Sequence, residues 1–535
     1  MESSDKYQQM LATVIQHMDV LEPKSDKGAR AIAQVVDSHT ILPAKFHLRE
    51  HGMASKSAAY IVRQQLELDG KMTLNLASFV TTFMDDEARK LCEENLTKNL
   101  ADNDEYPALI KLHGRCVGII ANLWHKEASE DAVGSATTGS SEAIQLGGLA
   151  MKCRWEQART KAGKPIDKPN VVYASNAHVS IEKFARYWNV EARVLPVYER
   201  TQFGPCLKDL KNALDENTIG VYVIQGSTYT GHFVDVEAMA KVLDEFEKET
   251  GNDIPIHVDA ASGGFVAPFC FPELKWDFRI PRIKSINSSG HKFGLAPVGL
   301  GWIIFRDRKY LPDHLQFSLG YLGGSELTFT LNFSRPGHPV IAQYYTFLKE
   351  GYDGYRAVHS AALKNAVMFS ISLEQSGDFE VLTDIHRPLG TYFCDNKGSV
   401  PIDSGCHPPT YYNPGLPVVA FRFSKKFRQD HPSIPLEAVS YMLRYHSYII
   451  PCYYMPKNEE ETQVMRVVVN PGLTLDIIAA LIDDIGKVVT RLRKVSRDVA
   501  ASGGSIKQTF DILNVVTQAD NEVDEISADW KHVRC

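Results

Sequence analysis

The chain has 535 residues, 44% hydrophobic and 23% charged, with a formal net charge of −7. That length exceeds one ordinary hydrophobic core, so two or three domains are expected in a composition typical of soluble globular proteins. The acidic balance gives no reason to expect nucleic acid or an anionic membrane surface as partner, and no apolar run reaches the roughly 20 residues that span a bilayer. The nine cysteines are odd in number and scattered without paired metal spacing. They predict reduced thiols, no metal site and a cytoplasmic protein. The start, Met1-Glu2-Ser3-Ser4-Asp5-Lys6, has neither the charged leader nor the apolar core of a signal peptide.

In chain order, residues 1–60 read as an N-terminal arm, too short to fold alone and expected to lie on a neighbour. A helical pattern covers 58–68. From there to 350, apolar strand candidates alternate with helical stretches: 170–173, 192–197, 220–224, 255–258 and 301–305. Such alternation predicts an α/β domain with a mostly parallel sheet covered by helices. Residues 351–500 carry fewer and longer units, namely a helix near 358–374, strands near 418–423 and 464–469, and a closing helix near 476–495. These predict a smaller α+β domain, followed by an acidic tail over 501–535.

Two stretches stand out chemically. Ser288-Ser289-Gly290-His291-Lys292-Phe293-Gly294 puts a lysine on a tight, glycine-bracketed connection between two buried-looking strands. Desolvation there lowers a lysine's pKa toward the free amine that attacks a carbonyl. Upstream, Ile256-His257-Val258-Asp259-Ala260-Ala261-Ser262-Gly263-Gly264 ends an apolar strand in an acid and then in small residues. Ligands in α/β proteins bind beyond such strand ends. A carboxylate and a lysine are the two groups that pyridoxal phosphate requires, one for its ring nitrogen and one for its aldehyde. On these two motifs the sequence resembles the pyridoxal-phosphate-dependent (group II) amino-acid decarboxylases, most closely the glutamate decarboxylases, over residues 41–489.

The resemblance implies the aspartate-aminotransferase-like fold (fold type I) and pyridoxal 5'-phosphate as cofactor. Thr137-Thr138-Gly139-Ser140-Ser141 opens an apolar-periodic helix whose first amides make an anion site. In the family this Gly-Ser-Ser holds the phosphate, so Ser140 and Ser141 take that role here, helped by Ser289, His291 and, from a second subunit, Ser334. Lys292 carries the cofactor, Asp259 faces its ring nitrogen, and Ala261 and Thr228 are further cofactor contacts. His178 takes the place over the ring. It is also a departure, because glutamate decarboxylases generally have glutamine there and decarboxylases of aromatic amino acids have histidine.

The same resemblance implies α-decarboxylation of L-glutamate to 4-aminobutanoate, or the same reaction on aspartate, cysteine sulfinate or an aromatic amino acid, which His178 keeps open. Tyr321, between glycines, aligns with the mobile-loop acid that protonates the α-carbon, and its presence argues against an aldehyde-forming oxidative outcome. Arg466 aligns with the clamp for the α-carboxylate. Ser78, Phe79, Asn99 and Asp102 match the elements that receive the distal carboxylate, with Ser78 standing where some relatives have threonine. A homodimer or higher homo-oligomer is implied. Calmodulin is not expected as a partner, because the acidic residues that precede Trp530, Lys531 and Arg534 give the wrong charge for its targets. Asp102 beside a substrate carboxylate requires a shared proton. Activity on glutamate is therefore expected to fall as pH rises past about 6, and a profile that stays flat to about 8 counts against Asp102 in that pocket.

Overall fold

The computed structural model describes residues 48, 51–81, 83–319, 326–395 and 407–501. The chain divides into two compact units, Met1–Gly70 and Lys71–Cys535. In the first, helix α1 (Ser55–Leu66) has no buried residue.

The second unit is built on two main sheets, beside a two-stranded one formed by Phe317–Leu319 and Glu326–Thr328. The larger has seven strands: β1 (Val133–Thr137), β2 (Asn170–Ala174), β3 (Glu191–Leu195), β4 (Thr218–Ile224), β5 (Ile256–Asp259), β6 (Ile283–Ser288) and β7 (Gly301–Phe305). Their order is β1-β7-β6-β5-β4-β2-β3. All neighbours from β3 to β6 pair in parallel, and β7 runs antiparallel to both β6 and β1. Every residue of β4, β5 and β7 is buried, as expected of strands covered on both faces. The helices α2 (Ser140–Lys161), α3 (Val179–Tyr187) and α4 (Val236–Thr250) form three of the crossovers. α4 shows how sequence sets their limits: the Asp235 carboxylate accepts from the Ala238 N–H at its start, and Gly251, at φ 75°, stops it.

Helix α5 (His338–Gln375) joins the two sheets, turning at Gly351 (φ 57°). Its first part contributes Val340 and Ile341, and the stretch just past the turn Tyr355 and Leu363, to the core around Val221, Val258 and Ile304. Its second part places Ala366, Phe369 and Leu373 in a separate core with Phe421, Val467 and Leu481. That core belongs to a four-stranded antiparallel sheet of β8 (Phe379–Val381), β9 (Val418–Phe423), β10 (Cys452–Tyr454) and β11 (Gln463–Val468), ordered β8-β9-β11-β10. Helices α6 (Glu437–Arg444) and α7 (Leu475–Ala501) complete it.

The expected mostly parallel sheet is present. The strand anticipated over 192–197 stops at Leu195, since Pro196 has no N–H for the ladder. β1 escapes a pattern search because Val133-Gly134-Ser135-Ala136-Thr137 has only one large apolar residue. Small residues are needed there: a Cβ on Gly134 would lie 2.5 Å from the Ile303 carbonyl oxygen. No described helix is long and apolar enough to cross a membrane.

α2 lies close on β5. A Cβ added at Gly147 would fall 2.3 Å from Nδ1 of the buried His257. Gly147→Ala is therefore expected to destabilise the protein by about 1–3 kcal/mol, the usual cost of overpacking, read as a lowered midpoint in thermal unfolding.

Candidate active site

The carboxyl ends of β2, β4, β5 and β6 and the N-terminus of α2 surround a cavity of about 250 Å³. Its lining includes Ser140, Ser141, His178, Thr228, Asp259, Ala261, Ser289, His291 and Lys292. Residues distant in sequence thus meet because parallel strands all deliver their last residues to one edge of the sheet. A larger cavity, about 570 Å³, lies beside α6 and contains neither Asp259 nor Lys292. Size alone does not identify the reactive site.

At one end of the cavity, α2 begins at Ser140, and its first N–H groups have no intrahelical partners. The Ser140 and Ser289 hydroxyls are 2.7 Å apart, as are those of Ser141 and Ser180. Gly301 permits the close approach of this turn, since a Cβ there would lie 2.4 Å from the Gly139 carbonyl carbon. The cradle of amides and hydroxyls suits a phosphate. His291 stands beside it. Its Nδ1 accepts from the Leu300 N–H at 3.2 Å, and burial, helped by Lys292, pushes its pKa down to about 4. It is a neutral ring with its proton on Nε2.

At the other end, Asp259 is 4% exposed. Its Oδ1 accepts from Asn287 Nδ2 at 2.9 Å and from the Ala261 N–H at 3.1 Å. Among the described residues no donor meets Oδ2, so one oxygen is left to hold a protonated ring nitrogen. The Lys292 amine donates to Ser262 Oγ at 3.3 Å and lies 5.3 Å from the centre of the Phe79 ring. Burial lowers the Lys292 pKa against the attraction of Asp259, and the Arg466 guanidinium lowers it further. The loop bearing Lys292 is tied down by Thr81, whose hydroxyl donates to the Lys292 carbonyl at 2.5 Å and whose N–H donates to that of His291 at 2.9 Å.

His178 occupies the wall between these ends. As the N-cap of α3, its Nδ1 accepts from the Ser180 N–H at 3.2 Å and lies 2.7 Å from the Ser180 hydroxyl. The proton of the neutral ring is therefore on Nε2. Burial favours that neutral form; Asp259 opposes the shift and Lys292 adds to it.

A second cavity, about 370 Å³, shares Asn176, His178 and Thr228 with the first and adds Tyr453, Tyr454 and Arg466. Arg466 is buried and donates at 2.6 Å to the carbonyls of Thr228 and Ala77, while its Nε has no partner. Its guanidinium carbon lies 4.8 Å from the Phe79 ring centre. Ser78 is next to Phe79, and its hydroxyl accepts from the Val80 N–H.

Ser78 and Phe79 line neither cavity, although Phe79 packs on Lys292 and Arg466, and three more expected residues lie apart from the cavity of their own chain. Asn99 Nδ2 donates to Ser334 Oγ at 3.2 Å, and Asp102 Oδ1 accepts from the Glu105 N–H in a turn. None of the three lines either cavity. Tyr321 lies outside the described residues. Sequence reasoning missed Asn176, Ser180 and Ser262 on the lining, and behind it His257, Ser285 and Asn287. Alternation was the available signal for the last group: His257 and Asp259 are two apart in an otherwise apolar strand, and Ser285 and Asn287 are two apart in the next one.

A buried acid, a desolvated lysine and an anion cradle spaced around one cavity at this sheet edge define a fold type I pyridoxal-phosphate enzyme. The donor set fits that cofactor: the helix start and serines match its phosphate, Oδ2 of Asp259 its ring nitrogen, and Lys292 its aldehyde. Comparison with known proteins agrees. Residues 50–392 match the model of the pyridoxal-dependent decarboxylase conserved domain. The chain is 46% identical over 467 residues to glutamate decarboxylase of Saccharomyces cerevisiae, spanning 84% of this chain and 79% of that protein. It is 41% identical to glutamate decarboxylase 1 of Arabidopsis thaliana, spanning 92% and 93%. The solved glutamate decarboxylase of Lactobacillus brevis superposes with a TM-score of 0.76 at 35% identity, covering 84% of this chain and 95% of that one. The chain belongs to the pyridoxal-dependent decarboxylase family, and its cofactor is pyridoxal phosphate.

A lysine with a lowered pKa keeps more free amine at neutral pH than surface lysines do. Incubation of the apoprotein with one equivalent of pyridoxal phosphate at pH 7, followed by borohydride reduction and peptide mapping, is expected to label the Lys292 peptide alone. Label spread over several lysines would contradict the electrostatics described.

Proposed function

We propose that the chain removes the α-carboxyl group of L-glutamate as carbon dioxide and leaves 4-aminobutanoate. The observation that carries this reading is one cavity that gathers Asp259, Lys292 and the anion cradle in a chain 46% identical to a glutamate decarboxylase across most of both lengths. Bound there, pyridoxal phosphate supplies an aldehyde for an amine and a protonated ring into which the electron pair of the breaking bond can run.

The chain's own residues do the rest. Lys292, whose pKa burial lowers, would hold the aldehyde through its amine. Asp259 keeps the ring nitrogen protonated, since a carboxylate favours the charged form of its partner. Ser140, Ser141, Ser289 and His291 bind the phosphate and so fix the cofactor's register. Ala261 and Thr228 bound the ring, and His178 contributes an Nε2–H donor beside it. Arg466, on the lining of the second cavity, takes a substrate carboxylate, a task suited to the planar fork of its guanidinium. Phe79 and Tyr453, flanking Arg466, keep water from that contact. By the family resemblance, Tyr321 returns a proton to the α-carbon.

Ser78, Asn99 and Asp102 receive the distal carboxylate in this reading, and the active form is a homodimer. The position of Asn99, Asp102 and Ser334 outside their own chain's cavities supports their service in a partner's site. The arm over 1–60, the domains over 61–350 and 351–500 and the tail over 501–535 are part of the same proposal, as is a cytoplasmic location. His178 favours a second reading, the same chemistry on a different amino acid.

A panel of L-glutamate, L-aspartate, cysteine sulfinate and L-tyrosine, followed by carbon dioxide release and identification of the amine, separates the two. Glutamate is expected to lead in kcat/KM. Arg466→Lys, which removes the fork but keeps the charge, is expected to lower kcat/KM for glutamate about 10–100-fold. Preference for another panel member sinks the first reading and establishes the second.

A further inference from the structure

Behind the cavity, β5 and β6 place four polar side chains on one face of a buried parallel pair. In their register His257 faces Ser285 and Asp259 faces Asn287. All four are nearly inaccessible, with His257 and Asn287 at 0% exposure. Asn287 Nδ2 donates to Asp259 Oδ1 at 2.9 Å, His257 Nε2 lies 2.7 Å from Asn287 Oδ1, and His257 Nδ1 lies 2.7 Å from Ser285 Oγ.

Only one arrangement of protons satisfies this row. An ionised Asp259 only accepts, so the Asn287 amide must turn its NH2 toward it. That leaves the Asn287 oxygen facing His257, which must then carry its proton on Nε2 and accept from the Ser285 hydroxyl on Nδ1. A flipped amide would set oxygen against carboxylate and nitrogen against N–H. Every donor in the row therefore points toward Asp259. Charging the ring would put a second proton on Nδ1 and turn Ser285 away. Burial opposes that change and pushes the His257 pKa down to about 4, although Asn287 and Asp259 both favour the cation. The ring has no room to turn: Gly147 packs on it, Tyr222 meets it edge-on at 5.1 Å, and the Tyr222 hydroxyl is held by the Ile144 carbonyl of α2.

We propose that His257 is a positioning residue, which locks the Asn287 amide so that Asp259 Oδ1 is always occupied and Oδ2 is reserved, ionised, for the cofactor's ring nitrogen. This rests on the reading that Asp259 takes that nitrogen. His257 touches neither cofactor nor substrate and acts through two side chains. With His257 replaced by an apolar ring, Asn287 would be free to flip, and Asp259 would lose a donor that stabilises its charge.

The test compares the affinity of the apoprotein for pyridoxal 5'-phosphate with that for its 1-deaza analogue, in which CH replaces the ring nitrogen. Both are measured by quenching of tryptophan fluorescence, with thermal unfolding followed alongside. His257→Phe is expected to weaken binding of the natural cofactor about tenfold or more and of the analogue less than about twofold. His257→Gln, which keeps an N–H donor, is expected to stay near the parent on both. Asn287→Leu, nearly isosteric, should reproduce the selective loss and serves if His257→Phe does not fold. Equal loss on both ligands, or loss on neither, overturns the proposal. Asp259→Ala separates the underlying reading: if it too fails to discriminate between the ligands, the assignment of Asp259 is wrong, whereas discrimination by Asp259→Ala alone refutes only the role of His257.

Discussion

The interaction on which this structure turns is the burial of Lys292 within reach of Asp259. Taking a carboxylate and an ammonium out of water costs several kcal/mol per ion, so the arrangement persists only if other groups meet the charges or remove one of them. Both happen here. Two N–H donors satisfy one oxygen of Asp259, while the lysine's pKa falls, pushing it toward the neutral amine. Hydrogen bonds meet the carboxylate's charge while desolvation makes the amine reactive, which is the division of labour that an aldehyde cofactor with a basic ring nitrogen requires.

That arrangement sets terms for the surrounding scaffold. The helix whose N-terminus forms the anion cradle must lie against β5, and Gly147 and Gly148 let it do so where side chains would collide with His257, Tyr222 and Phe184. The Lys292 loop is held from outside by Thr81, from a segment more than two hundred positions earlier. Arg466 comes from the second sheet, and its bonds to Thr228 and Ala77 join that sheet to the edge of the first. The acid, the lysine, the cradle and the clamp thus rest on four different parts of the chain, fixed relative to one another by buried contacts. A cofactor with three attachment points needs such rigidity, because an error at any one misplaces the bond to be broken.

Much of this was legible beforehand, for identifiable reasons. The large sheet announced itself because a strand covered on both faces must be continuously apolar, as β4 is. Asp259 and Lys292 stood out because charged residues at the ends of such strands are expensive unless used. What escaped was information that alternation or composition does not carry. β1 is built of small residues to fit under its neighbours. The Asn287 and Ser285 side chains are two of several polar residues in β6, and their common face shows only when β5 is set beside them. Arg466 could be aligned with a substrate clamp, but its two bonds to backbone carbonyls are visible only in the fold. Asn99, Asp102 and Ser334 mark the same limit at a larger scale, since one chain does not bring them to its own cavity.

The departure at position 178 also becomes less decisive when its contacts are considered. His178 serves α3 as an N-cap, and it does so with an acceptor atom, Nδ1, directed at the Ser180 N–H. Glutamine also carries an acceptor, its side-chain oxygen, and an N–H donor. Either residue can cap the helix and offer a donor beside the ring, so this exchange alone does not dictate which side chain the substrate bears. Discrimination between substrates must come from surfaces that touch the part in which they differ. In the proposed reading those surfaces are the segment bearing Ser78 and Phe79 and, from a partner, Asn99 and Asp102. Arg466 is a buried cation that no described carboxylate neutralises, and burial is already lowering its pKa. It is the proposed clamp for the α-carboxylate, which acidic and aromatic amino acids alike bring to it, so relief of its burial does not choose between them and the choice falls to the groups proposed for the distal end.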